Sequence, residues 1–192
     1  FKATKGADLI AMNQLNFGCA GKIKFDPNTP LIGQFDRAMG KAEQDYSWNR
    51  ARGVKNIVRG AAPIARVGNH APELAEGADV SWVNGSGAPL PEDFRTRQFK
   101  SLKAPHFGHD LVQLNHYAVR SMENFIVKTE RGDANRPVHE VAKYWRQYWN
   151  QYDDNLIEEI SIQRWVPAVE QTVAELMKDK ELARLHKASV AW

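Results

Sequence analysis

The chain alternates between short apolar segments and polar or Gly- and Pro-rich connections. This pattern predicts strands near residues 8–17, 22–25, 54–59, 64–68 and 79–83. A short helix is predicted near 30–39, after Pro30, and the polar composition of 40–53 predicts a loop. Residues 84–108 hold three Gly and three Pro, so they predict a long irregular connection. The first half of the chain therefore predicts a sheet with few helices.

The segment from 111 to 132 has the clearest local signals. Leu111–Leu114 predicts a buried strand that ends at His116, and Ser121 is a good N-cap for a helix that ends at Gly132. Met122, Phe125, Ile126 and Thr129 share one face of this helix, and Asn124, Lys128 and Arg131 share another. The strand thus brings His116 and Arg120 to a helix N-terminus, where backbone N–H groups favour anions.

Two interpretations of this segment stay open. The functional one is a phosphate site with a metal ion at His116, since ligands favour the carboxyl ends of strands in α/β sheets. The structural one is a hydrogen-bonded His at a strand end and ordinary solvated cations on a helix face.

Helical spacing dominates after Pro137. One helix is predicted through Tyr152, and a second stretch runs from about 156 to 186, with Pro167 kinking or dividing it. Its apolar side is marked by Leu176, Met177, Leu182 and Leu185. The favoured role of the aromatic cluster in the first helix is packing against the sheet, and stacking on a sugar ring is the alternative; its members are Tyr144, Trp145, Tyr148, Trp149 and Tyr152.

Composition narrows the class of protein. A chain of 192 residues with 43% hydrophobic and 26% charged residues is ordinary for one compact domain. A net charge of +3 is too small to indicate nucleic-acid binding. The single cysteine, Cys19, excludes an intrachain disulfide, and the chain has no apolar run long enough to cross a bilayer. Cations concentrate between 95 and 136 and acidic residues between 153 and 159, which favours a local anion site.

Several short motifs, in order along the chain, resemble bacterial family-2-like glycosyltransferases. The principal one is Asn115–Gly132, with Asn115-His116-Tyr117, Arg120-Ser121, Lys128 and Arg131-Gly132 at matching positions. The others are Phe17–Gly21, Phe35, Val54–Arg59, Val67–Pro72 and Trp82–Gly87. These enzymes bind nucleotide sugars with a GT-A fold. The resemblance therefore implies an α/β fold, with 1–136 as the C-terminal part of a GT-A-like catalytic domain and 137–192 as a helical extension packed on it.

The chain departs from that family in one respect. It contains no Asp-x-Asp motif, the element with which the N-terminal half of these enzymes holds a divalent ion and the sugar diphosphate. We expect that half to lie outside the 192 residues, and the isolated chain then binds nucleotide poorly. A second explanation is a degenerate relative without transfer chemistry.

The resemblance also implies roles for particular residues. His116 is the expected metal contact, and Arg120, Lys128 and Arg131 are the expected diphosphate contacts. The acceptor side is assigned to His70, Trp82 and Asn84. The alternative for His70 is a structural histidine in a turn. The alternative for Trp82 and Asn84 is a buried Trp followed by a Gly-rich turn. Asp110, at the start of the His116 strand, is the first candidate for the catalytic base.

The implied function is transfer of a sugar from a nucleoside diphosphate to a hydroxyl acceptor, such as a glycan. The implied cofactor is Mn²⁺ or Mg²⁺, held mostly by ligands outside this chain. A cytoplasmic location is expected, with peripheral association at the inner membrane as the alternative. Nucleic acid is not expected as a partner. The competing function is a non-catalytic binding or scaffolding protein with a degenerate GT-A fold.

Overall fold

The computed structural model describes residues 2–4, 6–40, 53–96, 102, 106–132 and 141–191. The chain forms two compact units. Unit 1 comprises Phe1–Asn16 and Met39–His116, and unit 2 comprises Phe17–Ala38 and Tyr117–Trp192. The predicted boundary between 136 and 137 lies outside the described residues and stays a prediction. The predicted α/β class is confirmed, since the chain combines a mixed sheet with several helices.

The described part of the chain contains short strands and six α-helices. The strands are β1 (Leu9–Asn16), β2 (Arg37–Ala38), β3 (Val54–Val58), β4 (Ile64–Arg66), β5 (Glu73–Leu74), β6 (Trp82–Asn84), β7 (Leu114–His116) and β8 (Ile157–Glu158). The helices are α1 (Leu31–Gln34), α2 (Asp93–Thr96), α3 (Met122–Arg131), α4 (Val141–Tyr152), α5 (Val166–Leu176) and α6 (Lys180–Ala191), with a 3₁₀ turn at Ser161–Trp165. Among these helices, none is both long and apolar enough to cross a membrane.

Strand β1 is the centre of unit 1. It pairs antiparallel with β3, parallel with β6 through Leu9–Ala11, and parallel with β7 through Gln14–Asn16. Seven of its eight residues are buried, as expected for a strand covered on both faces. One face packs Leu9 and Ala11 against Val54, Trp82 and Phe94, and the other packs Ile10 against Val83. Three parallel strands therefore run the same way through the unit.

Unit 2 is built around the contact of α3 with α4. Phe125 of α3 meets the rings of Trp145 and Trp149 edge-on, at centroid distances of 5.8 and 4.8 Å. Ala118 and Val119 complete this buried cluster. The described side chains of Trp145, Tyr148 and Trp149 on α4 thus pack against Phe125 of α3 and not, as predicted, against a sheet.

The predicted strand at 22–25 is wrong. Lys22 O and Ile23 O accept hydrogen bonds from Met122 N and Glu123 N, at 3.1 and 3.0 Å. These two carbonyl groups therefore satisfy the first N–H groups of α3 instead of joining a sheet. No pattern within 22–25 could signal a partner a hundred residues away.

The predicted helix at 30–39 is shorter than expected. It ends at Gln34, since Phe35 has an extended backbone and a buried ring, and Arg37–Ala38 then pair with β8. Most of the predicted loop at 40–53 lies outside the described residues, as do 97–101 and 103–105 of the predicted connection.

Pro167 begins a helix and does not kink one. It occupies the first turn of α5, where its missing N–H costs no intrahelical hydrogen bond. The predicted helical stretch from 156 to 186 contains β8, the 3₁₀ turn, α5 and the first part of α6, which continues to Ala191.

Candidate functional site

The carboxyl ends of β1 and β7 bring Asn16 and His116 together in unit 1. Because the strands are parallel and in register at these residues, the His116 ring lies beside a buried amide, with Nδ1 at 2.8 Å from Asn16 Oδ1. An amide oxygen only accepts, so Nδ1 carries a proton in this arrangement. The Asn16 amide is itself held by Met39 Sδ at 3.6 Å. Asn16 thus orients the histidine that the sequence singled out.

A second group in unit 1 joins Asn84 to Asp110 through Ser86. Ser86 Oγ donates to Asp110 Oδ2 at 2.6 Å and accepts from Asp110 N at 3.2 Å. Asn84 Nδ2 donates to the carbonyls of His106 and Phe107, and its Oδ1 accepts from two backbone N–H groups. Asn84 is buried and fully hydrogen-bonded, whereas Asp110 is exposed and anchored by one oxygen.

Gly108 allows the two loops of this group to meet. A Cβ atom added there would lie 2.6 Å from Ser86 N and 2.8 Å from Asn84 Cγ, too close for any side chain. Gly108 N also donates to Oδ1 of the buried Asn13, at 3.3 Å. Neither Gly108 nor Asn13 was predicted from the sequence. The available signals were a Gly between two histidines and an Asn inside an apolar strand.

Asn56 connects the two aromatic residues predicted for the acceptor side. The Trp82 indole N–H donates to Asn56 Oδ1 at 2.9 Å, and Asn56 Nδ2 donates to His70 O at 2.6 Å. His70 Nδ1 lies 3.1 Å from Val54 O, so Nδ1 is the protonated nitrogen. This link across β3 was not foreseen, although a polar residue at mid-strand was a usable signal.

Trp82 itself is only 3% exposed, and its ring meets Phe94 edge-on at 4.8 Å. Its face is therefore covered by the core of unit 1. This geometry matches the alternative interpretation, a buried Trp followed by a Gly-rich turn. Of the three predicted acceptor-side residues, only His70 is partly exposed.

In unit 2, the backbone N–H groups at the N-terminus of α3 already donate hydrogen bonds to protein oxygens. Ser121 is fully buried and its Oγ accepts from Asn124 N at 3.2 Å, which confirms the predicted N-cap. Lys22 O and Ile23 O take the N–H groups of Met122 and Glu123. The expectation that free backbone N–H groups bind an anion here is therefore wrong, because protein oxygens occupy them.

The three predicted diphosphate cations have different surroundings. Lys128 Nζ donates to Ala118 O at 2.9 Å and to Tyr148 Oη at 3.0 Å, and lies 4.1 Å from the Tyr148 ring centroid. Arg120 is exposed in the turn before α3, and Arg131 is exposed at the last residue of this helix. Lys128 thus has a packing role, and the diphosphate roles of the two arginines stay predictions.

Arg120 has a feature of its own. Its backbone φ is 62°, in the left-handed region that residues other than Gly seldom adopt. Such conformations cost of the order of 1 kcal/mol and concentrate at functional sites. The turn before the Ser121 cap therefore presents an exposed guanidinium on a strained backbone.

Cys19 lies in a packed turn of unit 2. Cys19 N donates to Asp153 Oδ1 at 2.7 Å, and Ala20 N donates to Asn155 Oδ1 at 2.8 Å. Burial, followed by the hydrogen bond to Asp153, raises the pKa of the Cys19 thiol. A raised pKa disfavours the thiolate, as expected for a structural cysteine.

The described residues contain no group of three or more His, Cys, Asp or Glu side chains placed to hold a metal ion. The other ligands of the predicted Mn²⁺ or Mg²⁺ are expected outside this chain, so the metal contact of His116 stays a prediction. Comparisons with protein-family models, curated proteins and solved structures give no match for this chain.

Proposed function

We propose that this chain belongs to a glycosyltransferase that moves a sugar from a nucleoside diphosphate to a hydroxyl acceptor. The observation that carries the proposal is the Asn16–His116 pair at the carboxyl ends of two parallel strands. Ligands of open α/β sheets bind at such ends. The proposal also relies on the ordered motifs from Phe17 to Gly132, which resemble family-2-like glycosyltransferases.

The transfer reaction has simple requirements. The acceptor oxygen forms a bond to the anomeric carbon, the bond from that carbon to the diphosphate breaks, and the acceptor proton goes to a base. In this proposal Asp110 is the base, with Ser86 Oγ on Oδ2 fixing the carboxylate. His116, oriented by Asn16, contacts the donor.

The direct test is product formation by the intact protein. Nucleoside-diphosphate sugars with different sugars and bases are incubated with glycan acceptors, and mass spectrometry identifies glycosylated product and free nucleoside diphosphate. Asp110→Asn should abolish turnover while leaving donor binding within about twofold, because the base acts on the acceptor. Failure of the wild-type protein to transfer or hydrolyse any donor would overturn the proposal.

A second test concerns the donor contact. Calorimetric titration with uridine diphosphate should show affinity about tenfold weaker, or worse, for His116→Gln, as expected for loss of a hydrogen bond to a charged group. The matched control is His186→Gln, since His186 is an exposed histidine on α6. Equal affinities for wild type and His116→Gln would remove His116 from the donor site.

The competing function is a non-catalytic binding protein. It is favoured by Lys128, whose amino group binds Ala118 O and Tyr148 Oη, and by the saturated N-terminus of α3. Both features serve packing and not an anion. Under this alternative the wild-type protein transfers no sugar from any donor, and Asp110→Asn leaves its binding properties unchanged.

A further inference from the structure

The two C-terminal helices present apolar side chains that the described chain does not cover. No residue of α5 or α6 is buried. The exposed large hydrophobic residues of this region are Trp165, Val173, Leu176, Leu182, Leu185 and Val190, with exposures from 36% to 55%. A group of this size on neighbouring elements is typical of an interaction surface.

On α5 the apolar residues form one stripe. Val169, Val173 and Leu176 follow each other at steps of four and three, which places them on the same side of the helix. Trp165, one turn earlier, continues the stripe at the end of the 3₁₀ turn. Unit 2 anchors the helix at its first residue, since a Cβ on Gly33 would lie 3.3 Å from Val166 Cγ2.

The two helices carry opposite net charges. In α5, Glu170 and Glu175 are the only charged residues, so the net charge of this helix is −2. In α6, three cations and Glu181 give a net charge of +2 when His186 is counted as neutral; the cations are Lys180, Arg184 and Lys187. An acidic helix and a basic helix, each with an exposed apolar side, are complementary to one another.

We propose that this surface binds a second copy of the same chain, with α5 of one protomer against α6 of its partner. A two-fold axis makes both contacts equivalent, so the contact of an acidic helix with a basic one occurs twice per dimer. Apolar side chains provide the affinity and the charges fix the pairing. The net negative charge of α5 disfavours an anionic lipid surface as the occupant.

Sedimentation equilibrium of the full chain tests the proposal. The average mass should rise from one chain to two over roughly a hundredfold range of concentration. Leu176→Glu combined with Leu185→Glu should leave the protein monomeric throughout that range. Val67→Glu is the control, because Val67 is 80% exposed and lies in unit 1, so dimerisation should persist.

A charge exchange tests the pairing without requiring its exact register. Glu170→Lys with Glu175→Lys makes both helices positive, and Lys180→Glu with Lys187→Glu makes both negative. Each variant alone should be monomeric, and their equimolar mixture should form a heterodimer. Circular dichroism checks that helix content is retained, since Lys and Glu are comparable helix formers.

Three results would overturn the proposal. They are a wild-type chain that is monomeric at all concentrations, a dimer that survives the Leu176→Glu and Leu185→Glu changes, and oppositely charged variants that do not pair when mixed. None of these results depends on glycosyl transfer.

Discussion

At the scale of single residues, Gly108 is a position with no room for a side chain. Its missing side chain lets the loop at 106–110 approach the turn after β6, where Ser86 N and Asn84 Cγ would contact any Cβ. Asn84 and Ser86 also bind this loop through hydrogen bonds, so the two segments move only together.

The first prediction concerns this contact. Gly108→Ala should lower the free energy of unfolding by about 1–3 kcal/mol, the usual cost of overpacking, because the added Cβ would meet Ser86 N and the hydrogen-bonded side chains of Ser86 and Asn84. Urea denaturation of the purified protein measures it. Gly60→Ala is the control, since a Cβ on Gly60 meets nothing within 4 Å, and its effect should be within about 1 kcal/mol of zero.

Equal stability of the two glycine variants would show that the loop at 106–110 moves freely away from Asn84. The anchoring of Asp110 by Ser86 would then lose its structural support.

The sequence identified several of the right residues but not their partners. Trp82, Asn84 and His70 were found as motif members, yet their hydrogen bonds depend on Asn56, Ser86 and the carbonyls of 106–107. Partners brought from other strands leave no local signature. The burial of the Trp82 ring could not be predicted either, because Phe94, which covers it, belongs to a different element.

At the scale of elements, α3 shows what local sequence specifies. Ser121 begins the helix and Gly132 ends it, with φ 79° at the glycine, as both caps predicted. What the helix contacts was not predictable. Phe125 faces Trp145 and Trp149, and Lys128 inserts its amino group between Ala118 O and Tyr148.

The second prediction separates packing from ligand binding on α3. Lys128→Met removes hydrogen bonds from a charged donor and the contact with the Tyr148 ring, so it should cost about 1.5–3 kcal/mol of stability. Arg131→Met, an equivalent change at an exposed position on the same helix, should cost at most about 1 kcal/mol. Thermal denaturation at low salt compares the two.

A Lys128→Met variant as stable as Arg131→Met would contradict the packing role. It would also restore Lys128 as a candidate for a diphosphate contact.

At the scale of the whole molecule, the chain crosses between its two units more than once. Each unit combines two separate segments, so residues 1–16 belong with 39–116, and residues 17–38 belong with 117–192. Within each unit, hydrogen bonds join residues a hundred or more positions apart, as in Asn16–His116 of unit 1 and Cys19–Asp153 of unit 2. Hydrophobic periodicity reports burial but not which distant segment provides it.

The third prediction concerns the C-terminal helix. Because α6 has no buried residue, a chain that stops after Asp179 should keep the core of unit 2 intact. Its unfolding midpoint should fall within about 2–4 °C of the monomeric Leu176→Glu, Leu185→Glu variant, which corresponds to a stability change of about 1 kcal/mol. Comparison with a monomeric variant removes the contribution of dimerisation.

A much larger loss would mean that α6 supports the contact between α3 and α4. The Phe125 cluster contains no residue of α6, so the structure gives no reason to expect it.

The sequence by itself determined the features that depend on near neighbours: the buried strand at 9–16, the strands at 54–58 and 82–84, and both ends of α3. Caps, turns and periodicity act within a few residues, so a local pattern is enough to specify them. Only the tertiary structure decided that Lys22 O and Ile23 O cap α3, that Asn56 links Trp82 to His70, and that Asn16 orients His116. These contacts join groups far apart in sequence, and their geometry follows from strand register and packing.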